Sequence, residues 1–188
     1  MFIQTEQTPN PLTLKFLPGK VVMEEGTAFY QNINDAKKSP LAKRLFEVGG
    51  VSGVFLGSDF ITITKEAALD WQVMKPEILG KIVDHFNSGD SSISKEIDNQ
   101  SKKSAKDNSD DSDVVKQIKE LLDTRVRPAV AMDGGDIIYD SYDEGIVYLQ
   151  VQGACSGCPS STATLKMGIE NMLKHYVPEV KEVRSTDA

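Results

Sequence analysis

The two cysteines of this 188-residue chain, Cys155 and Cys158, are separated by two residues. This spacing lets both sulfurs face one side of a loop, within reach of one metal ion or cluster. Gly153, Ala154 and Gly157 add little side-chain bulk beside them, so backbone amides can approach whatever the sulfurs hold. Cys155 and Cys158 are therefore the candidate site, either as metal or cluster ligands or as a redox-active dithiol.

The elements predicted around the pair place it between a β-hairpin and a helix. Residues 137–142 and 146–151 read as two strands joined across an Asp-Glu-Gly turn. Pro159 suits the first turn of a helix predicted over residues 159–176. A thiol just before a helix N-terminus is favoured as thiolate, which is the form that ligates metal and attacks disulfides. The sequence therefore predicts cysteines whose backbone is held by regular structure on both sides.

A second motif, Asp133-Gly134-Gly135-Asp136, precedes the hairpin. Its carboxylates could be ligands of a hard metal ion, or the turn could cradle a phosphate. A glycine turn whose acidic side chains bond its own backbone amides is the favoured interpretation. We expect this turn to shape the surface beside the cysteine loop.

The rest of the chain divides into two folded parts and one polar segment. Residues 88–112 hold eight serines, five aspartates and four lysines among 25 residues, which predicts a flexible linker. Residues 1–87 predict a small α/β domain whose second helix is opened by Lys75-Pro76. Residues 113–188 predict a short mixed or antiparallel sheet packed with two helices, the first ending before Arg127-Pro128. The predicted fold class is α+β, with two small domains.

Trp71 and His85 are the side chains of the first domain to consider as functional candidates. Trp71 could anchor a partner, but covering the core of the domain is the favoured interpretation. His85 lies one residue from the apolar stripe of its predicted helix and has no cysteine or carboxylate at ligand spacing. We therefore expect His85 to be a surface or hydrogen-bonded core histidine and not a metal ligand.

Composition and charge exclude several classes of partner. The net charge of −7 argues against nucleic acid, because phosphate binding needs a basic face. No apolar run approaches the ~20 residues needed to span a bilayer, so no membrane partner is expected. The first residues lack the features of a signal or transit peptide, so we expect the protein to stay where it is made. In such a compartment a C-x-x-C pair indicates metal or redox chemistry over a structural disulfide.

Three chemistries compete for the cysteine pair. A thiol–disulfide oxidoreductase of the thioredoxin kind is disfavoured, because a hairpin rather than a βαβ strand precedes the pair. Zinc and iron–sulfur sites normally take four ligands, and this chain supplies two cysteines, with His175 a helix length away. A four-cysteine site would require two copies of the chain at a symmetric interface, exposed and held by few bonds from each. The spacing alone leaves both an intersubunit zinc ion and an iron–sulfur cluster open.

Both ends of the chain resemble the Nfu family of iron–sulfur cluster scaffolds and carriers. Residues 132–136 followed by 153–161 are similar to the C-terminal NifU-like domain of that family. The presence of both domains in this order is more specific than a C-x-x-C pair. The resemblance to the N-terminal Nfu domain rests on residues 8–11, 39–42, 51–65 and 69–71.

The resemblance implies that Cys155 and Cys158 of two subunits bind one 4Fe–4S cluster, bridging a homodimer. It also implies delivery of the cluster to apo iron–sulfur client proteins, contact with upstream cluster-assembly proteins, and no enzymatic turnover or catalytic residues. A bacterial cytoplasmic location is expected, or the mitochondrial matrix if a transit peptide has been removed. We expect the N-terminal domain to recognise partners or to tune transfer.

Overall fold

The computed structural model describes residues 2–90, 92, 112–156 and 159–186. Within these residues lie two β-sheets with separate apolar cores, which confirms the predicted α+β class with two domains. Most of the predicted linker falls outside the described residues. None of the described helices combines the length and apolar character needed to cross a membrane.

The N-terminal domain is built on an antiparallel sheet of five described strands in the order β1-β2-β5-β4-β3. Two helices pack on one face of this sheet and enclose the first apolar core. A single turn of 3-10 helix, Asp35–Lys38, precedes the first of them. The elements are β1 (Gln4–Gln7), β2 (Thr13–Leu17), β3 (Ala28–Tyr30), α1 (Pro40–Phe46), β4 (Val51–Leu56), β5 (Ile61–Lys65) and α2 (Trp71–Ser88).

Alternate residues of these strands belong to opposite faces of the sheet, because side chains alternate along a β-strand. Ile61 and Ile63 of β5 lie in the core beneath the helices. The residue between them, Thr62, lies on the opposite face and is nevertheless buried. We call this opposite face the outer face and define it by Thr13, Lys15, Phe29, Phe55, Phe60 and Thr62.

Helix α2 begins at Trp71, so the predicted start at Pro76 is wrong. The Asp70 carboxylate accepts a hydrogen bond from the Gln72 N–H at 2.8 Å and caps the helix before the proline is reached. Pro76 lies inside the helix, where it removes one backbone hydrogen bond. The cap and the buried stripe of α2 outweigh that loss. The helix ends at Ser88 and is followed by Gly89, which adopts a left-handed conformation with φ of 73°.

The C-terminal domain has a three-stranded sheet in the described residues, in the order β6-β7-β8. Strands β6 and β7 form the predicted antiparallel hairpin, and β8 pairs with β7 in parallel. The sheet is therefore mixed, and helices pack against it around the second core. The elements are α3 (Asp113–Leu121), a π-helical segment (Leu122–Val126), α4 (Arg127–Met132), β6 (Gly135–Asp143), β7 (Ile146–Gly153), α5 (Pro159–Tyr176) and β8 (Glu182–Thr186).

The first helical stretch of this domain continues past Arg127-Pro128, where the sequence predicted its end. Helical backbone extends to Met132, and the π-helical segment ends at Val126, two residues before Pro128. A proline ring crowds the preceding helical turn and donates no hydrogen bond to it. A wider π-helical turn accommodates both effects. The continuation places Arg127 close to the turn at residues 133–136, where it binds Asp136.

Candidate functional site

Cys155 lies in the turn between β7 and α5, four residues before the helix begins. The Ser156 N–H donates to the Gly153 carbonyl at 3.0 Å and closes this turn. The Thr162 hydroxyl, in the first turn of α5, donates to the Cys155 carbonyl at 2.9 Å. The backbone of Cys155 is thus held from both sides. Cys158 lies outside the described residues, so the pairing of the two cysteines remains a prediction.

Cys155 is buried, with 5% of its surface exposed, and packs into the core of the C-terminal domain. The sequence predicts an exposed pair that could meet a second subunit. The spacing of the cysteines does not encode the burial, because it depends on side chains such as Ile118 and Leu173, which pack in the same core but lie far from Cys155 in the chain. In this arrangement the thiol is covered.

The Gly134-Gly135 turn supports the backbone of the cysteine loop. The Ala154 N–H donates to the Gly134 carbonyl at 3.2 Å. Gly134 has φ of +82°, a conformation that glycine adopts without strain. A Cβ added to Gly135 would lie 3.1 Å from the Cys155 Sγ and 2.6 Å from the Gln152 carbonyl oxygen. The turn is therefore glycine because the cysteine loop fills the space that side chains would need.

Asp136 is a buried carboxylate at the end of this turn, with 5% of its side chain exposed. The Arg127 guanidinium donates from Nε and Nη2 to its two oxygens, at 2.9 Å each. The Ile137 N–H donates to Oδ1 at 2.8 Å, so the backbone amide that Asp136 binds belongs to the residue after the turn and not, as predicted, to the turn itself. Hydrogen bonding to Asp136 raises the pKa of Arg127 above its usual range. This ion pair is not predicted from the sequence, in which the helix is expected to end before Arg127.

Neither acidic residue of the turn is part of a metal site in the described structure. Asp133 is exposed, whereas Asp136 is occupied by Arg127. Among the described residues, no three His, Cys, Asp or Glu side chains form a group that could hold a metal ion.

The N-terminal domain lies directly against the cysteine loop and its supporting turn. Among the described residues, four side-chain hydrogen bonds join the two domains. Three of them end on backbone carbonyls of the C-terminal domain and the fourth on a carboxylate. They run from Asn10 Nδ2 to the Ala154 carbonyl (3.2 Å), from Lys15 Nζ to the Met132 carbonyl (3.1 Å), from Thr62 Oγ1 to the Gly134 carbonyl (2.7 Å) and from Thr27 Oγ1 to Asp136 Oδ2 (2.7 Å).

Aromatic rings of the outer face complete this contact. The Phe55 ring lies 6.3 Å from that of Phe29 and 5.8 Å from that of Phe60, measured between centroids. A Cβ added to Gly153 would lie 3.1 Å from Phe55 Cγ, so the ring packs against the backbone two residues before Cys155. The contact of the two domains therefore has an apolar centre at Phe55 and hydrogen bonds at its edges.

Trp71 is partly buried and packs against the first core, as predicted. Its indole N–H donates to the Pro11 carbonyl at 3.2 Å. This bond anchors the loop of residues 8–11, the same loop that carries Asn10 to the Ala154 carbonyl. Trp71 thus supports a contact with the cysteine loop from a distance.

His85 is fully buried, and among the described residues neither ring nitrogen has a hydrogen-bond partner. His85 is therefore a core residue, but the predicted hydrogen bond to its ring is wrong. The ring packs edge-on against Phe86, with 5.4 Å between centroids. Burial lowers the pKa of His85, and the positive charge of Arg44 lowers it further, against the opposing effect of Asp90.

The fold and the site together define a two-domain α+β protein. Its second domain holds a cysteine turn between a hairpin and a helix, and its first domain packs on that turn. Two family profiles match the chain. The profile described as "Scaffold protein Nfu/NifU N terminal" matches residues 3–89, and the profile described as "NifU-like domain" matches residues 118–184.

Named relatives extend over almost the whole chain. NifU-like protein 4, mitochondrial, of Arabidopsis thaliana is 54% identical over 188 residues, covering 97% of this chain and 65% of that protein. The human protein named "NFU1 iron-sulfur cluster scaffold homolog, mitochondrial" is 51% identical over 184 residues, covering 97% of this chain and 71% of that protein. The chain belongs to the Nfu/NifU-like scaffold protein family. It spans about two thirds of the length of these relatives.

The structural comparison finds the solution structure of a NifU-like protein from Saccharomyces cerevisiae. That structure is 32% identical in sequence, with a TM-score of 0.47, covering 51% of this chain and 87% of the yeast chain. Both relatives described above are named mitochondrial. They give no support to the expected bacterial cytoplasmic location.

Proposed function

We propose that this chain is an iron–sulfur cluster scaffold and carrier, in which Cys155 and Cys158 of two subunits bind one bridging 4Fe–4S cluster. The observation that carries the proposal is the cysteine pair between β7 and α5, within the residues that match the NifU-like domain. A 4Fe–4S cluster takes four thiolates, and one chain has two cysteines. The name of the human relative, an iron–sulfur cluster scaffold, favours a cluster over zinc.

The cluster is cargo in this proposal, and the residues around Cys155 fit a thiolate ligand. The Cys155 Sγ lies against Gly135, which presents no side chain toward it. Thr162 and the Gly153–Ser156 hydrogen bond hold the backbone of the ligand in place.

Cluster transfer follows from the small share of ligands that each subunit contributes. Each chain would hold the cluster through two sulfurs, so release to an acceptor breaks few bonds per subunit. No residue of this chain is assigned a catalytic role, because the proposed role is to bind a cluster and hand it over. We propose that the recipients are apo iron–sulfur proteins. We also propose that the protein works in mitochondria, because the relatives described above are named mitochondrial.

Anaerobic reconstitution with iron and sulfide tests the ligand assignment. We expect about four iron atoms per dimer, with the dimer appearing on loading. Cys155→Ser and Cys158→Ser should each abolish uptake, whereas Ser156→Ala, between the two ligands, should retain it. Uptake that persists in either cysteine variant would refute the assignment.

The same preparations separate the competing chemistries. Zinc instead of iron in protein purified without air would identify an intersubunit zinc site. Reduction of insulin disulfides by the iron-free protein would identify an oxidoreductase. Transfer itself is measured by mixing loaded protein with an apo 4Fe–4S enzyme and following the recovery of that enzyme's activity. No recovery would limit the role to storage.

A further inference from the structure

The outer face of the N-terminal sheet is buried, although helices α1 and α2 pack on the opposite face. Phe55 and Thr62 are each 1% exposed, and Phe60 is 4% exposed. Polar threonines and a lysine on an antiparallel sheet are typical of a face in contact with water. This face is covered by Gly134 of the turn at residues 133–136 and by Gly153 and Ala154 of the loop before Cys155, all in the C-terminal domain.

The contact is close because the C-terminal side presents glycines. A Cβ added to Gly134 would lie 2.8 Å from the Thr62 Oγ1 and 3.4 Å from the Thr8 Cγ2. A Cβ added to Gly153 would meet Phe55 in the same way. The outer face therefore fits a glycine backbone and would not accept ordinary side chains at these two positions.

The polar bonds across the contact are ones that water can replace. Asn10, Lys15 and Thr62 donate to backbone carbonyls, and Thr27 donates to Asp136. When the domains separate, each of these donors and acceptors can be hydrated, so opening strands no buried polar group. Asp136 keeps the Arg127 guanidinium in either case, because both belong to the C-terminal domain.

Covering the loop has a direct consequence for Cys155. The carbonyl of the preceding residue, Ala154, is bound by Asn10, and Ala154 itself is 1% exposed. Cys155 is 5% exposed in this closed arrangement. A sulfur with so little exposed surface presents little of itself to a cluster shared with a second subunit.

We propose that the N-terminal domain is an intramolecular cover for the cysteine loop. It binds residues 132–136 and 153–154, directly before Cys155, and keeps Cys155 buried until the two domains separate. The role of opening as a step in cluster loading rests on the proposed function. The cover itself rests on the contacts described above.

Alkylation of Cys155 in the full-length, metal-free, reduced protein tests the cover. In a Cys158→Ser background Cys155 is the single thiol, so iodoacetamide uptake, followed by mass spectrometry, reports its exposure. Thr62→Arg places a long charged side chain where the Gly134 carbonyl now lies and should favour the open form. Ser52→Arg makes the same change at an exposed position of the neighbouring strand β4 and serves as the control.

We expect slow alkylation of the background protein and an increase of about tenfold or more with Thr62→Arg, which corresponds to about 1.4 kcal/mol. Ser52→Arg should leave the rate unchanged. A second variant, Lys15→Met combined with Thr27→Val and Thr62→Val, removes three of the bonds with little change of shape and should also raise the rate. It decides the question if circular dichroism shows that Thr62→Arg does not fold.

Equal alkylation rates in the background protein and in the folded opening variants would overturn the cover, whether all are fast or all are slow. With both cysteines present, Thr62→Arg should also speed the first phase of iron–sulfur uptake and leave the final iron content unchanged. The two proposals fail separately. A chain that takes up no iron but protects Cys155 refutes the cluster, and a chain that loads normally with Cys155 unprotected refutes the cover.

Discussion

Replacing Asp136 by asparagine would test the buried ion pair that ties α4 to the turn beside the cysteine loop. The substitution keeps the size of the side chain and removes its charge. Arg127 would lose a bidentate carboxylate whose oxygens lie 2.9 Å from its nitrogens. The amide oxygen of asparagine can still accept one bond, from the Ile137 N–H or from Thr27.

The expected cost lies below that of a fully buried pair. Removing one member of a buried ion pair typically costs about 3–5 kcal/mol, because the other charge is stranded. The Arg127 side chain is 28% exposed and retains Asp123 at 3.1 Å, so its charge stays partly solvated and paired. We therefore expect Asp136→Asn to lower the free energy of unfolding by about 2 kcal/mol. The Tm should fall by roughly 4–8 °C for a chain of this size.

Urea unfolding followed by circular dichroism measures this loss, and the chain offers a matched control. Asp123→Asn removes the other carboxylate from the same guanidinium, but the Asp123 side chain is 52% exposed. Exposed pairs contribute little, so the control should cost about 0.5 kcal/mol or less. If Asp136→Asn cost no more than Asp123→Asn, burial would not set the strength of this pair and the reasoning would be wrong.

Three further substitutions test other parts of the structure. The pKa of His85 in the folded protein lies below its unfolded value near 6.5, so the unfolded chain binds a proton more readily. Urea unfolding at a series of pH values should therefore show full stability above pH 6.5 and a loss of stability as the pH falls below it. His85→Leu should remove this loss. Gly153→Ala, at φ of +71° with its Cβ 2.7 Å from the Gly134 carbonyl oxygen, should cost roughly 2 kcal/mol in the same assay. Leu173→Ala, fully buried, should cost about 3 kcal/mol, whereas Met167→Ala, 66% exposed, should cost less than about 0.5 kcal/mol.

Local patterns were sufficient to predict the elements that hold Cys155. The hairpin of β6 and β7 and the helix after Pro159 were read from alternation and from a proline at a first turn, which are properties of neighbouring residues. Ser39 and Ser112 cap α1 and α3 in the structure, and each side chain accepts a hydrogen bond from a backbone N–H three residues on. A side chain that bonds the next helical turn needs no distant partner, so its type and position predict it.

The two errors in helix bounds both involve proline. Pro76 and Pro128 lie where a proline most often marks a boundary, yet both helices continue through them. Packing of apolar side chains before and after each proline decides the outcome, and those contacts are made with other elements. A local rule cannot weigh contacts that form only after the chain has folded.

The contact of the N-terminal domain with the residues around Cys155 could not be predicted from local patterns. Strand β5 reads Ile-Thr-Ile-Thr, the alternation of a strand with one wet face, and the structure buries Thr62 against Gly134. The two prolines of residues 8–11 indicate only a loop between two strands, whereas in the structure Asn10 of this loop binds the Ala154 carbonyl. Both contacts join residues far apart in the chain, so neither pattern carries the information.

The glycines near Cys155 have a second structural role, in the contact between the two domains. In the sequence, Gly153 is small so that backbone can approach a group held by sulfur. In the structure the same missing side chain admits Phe55, and the missing side chain of Gly134 admits Thr62. If the proposed cluster is bound, it and the Phe55 ring would therefore compete for the backbone at Gly153. A side chain at Gly153 would meet Phe55 Cγ at 3.1 Å, and one at Gly134 would meet Thr62 Oγ1 at 2.8 Å, so either would obstruct the contact of the two domains.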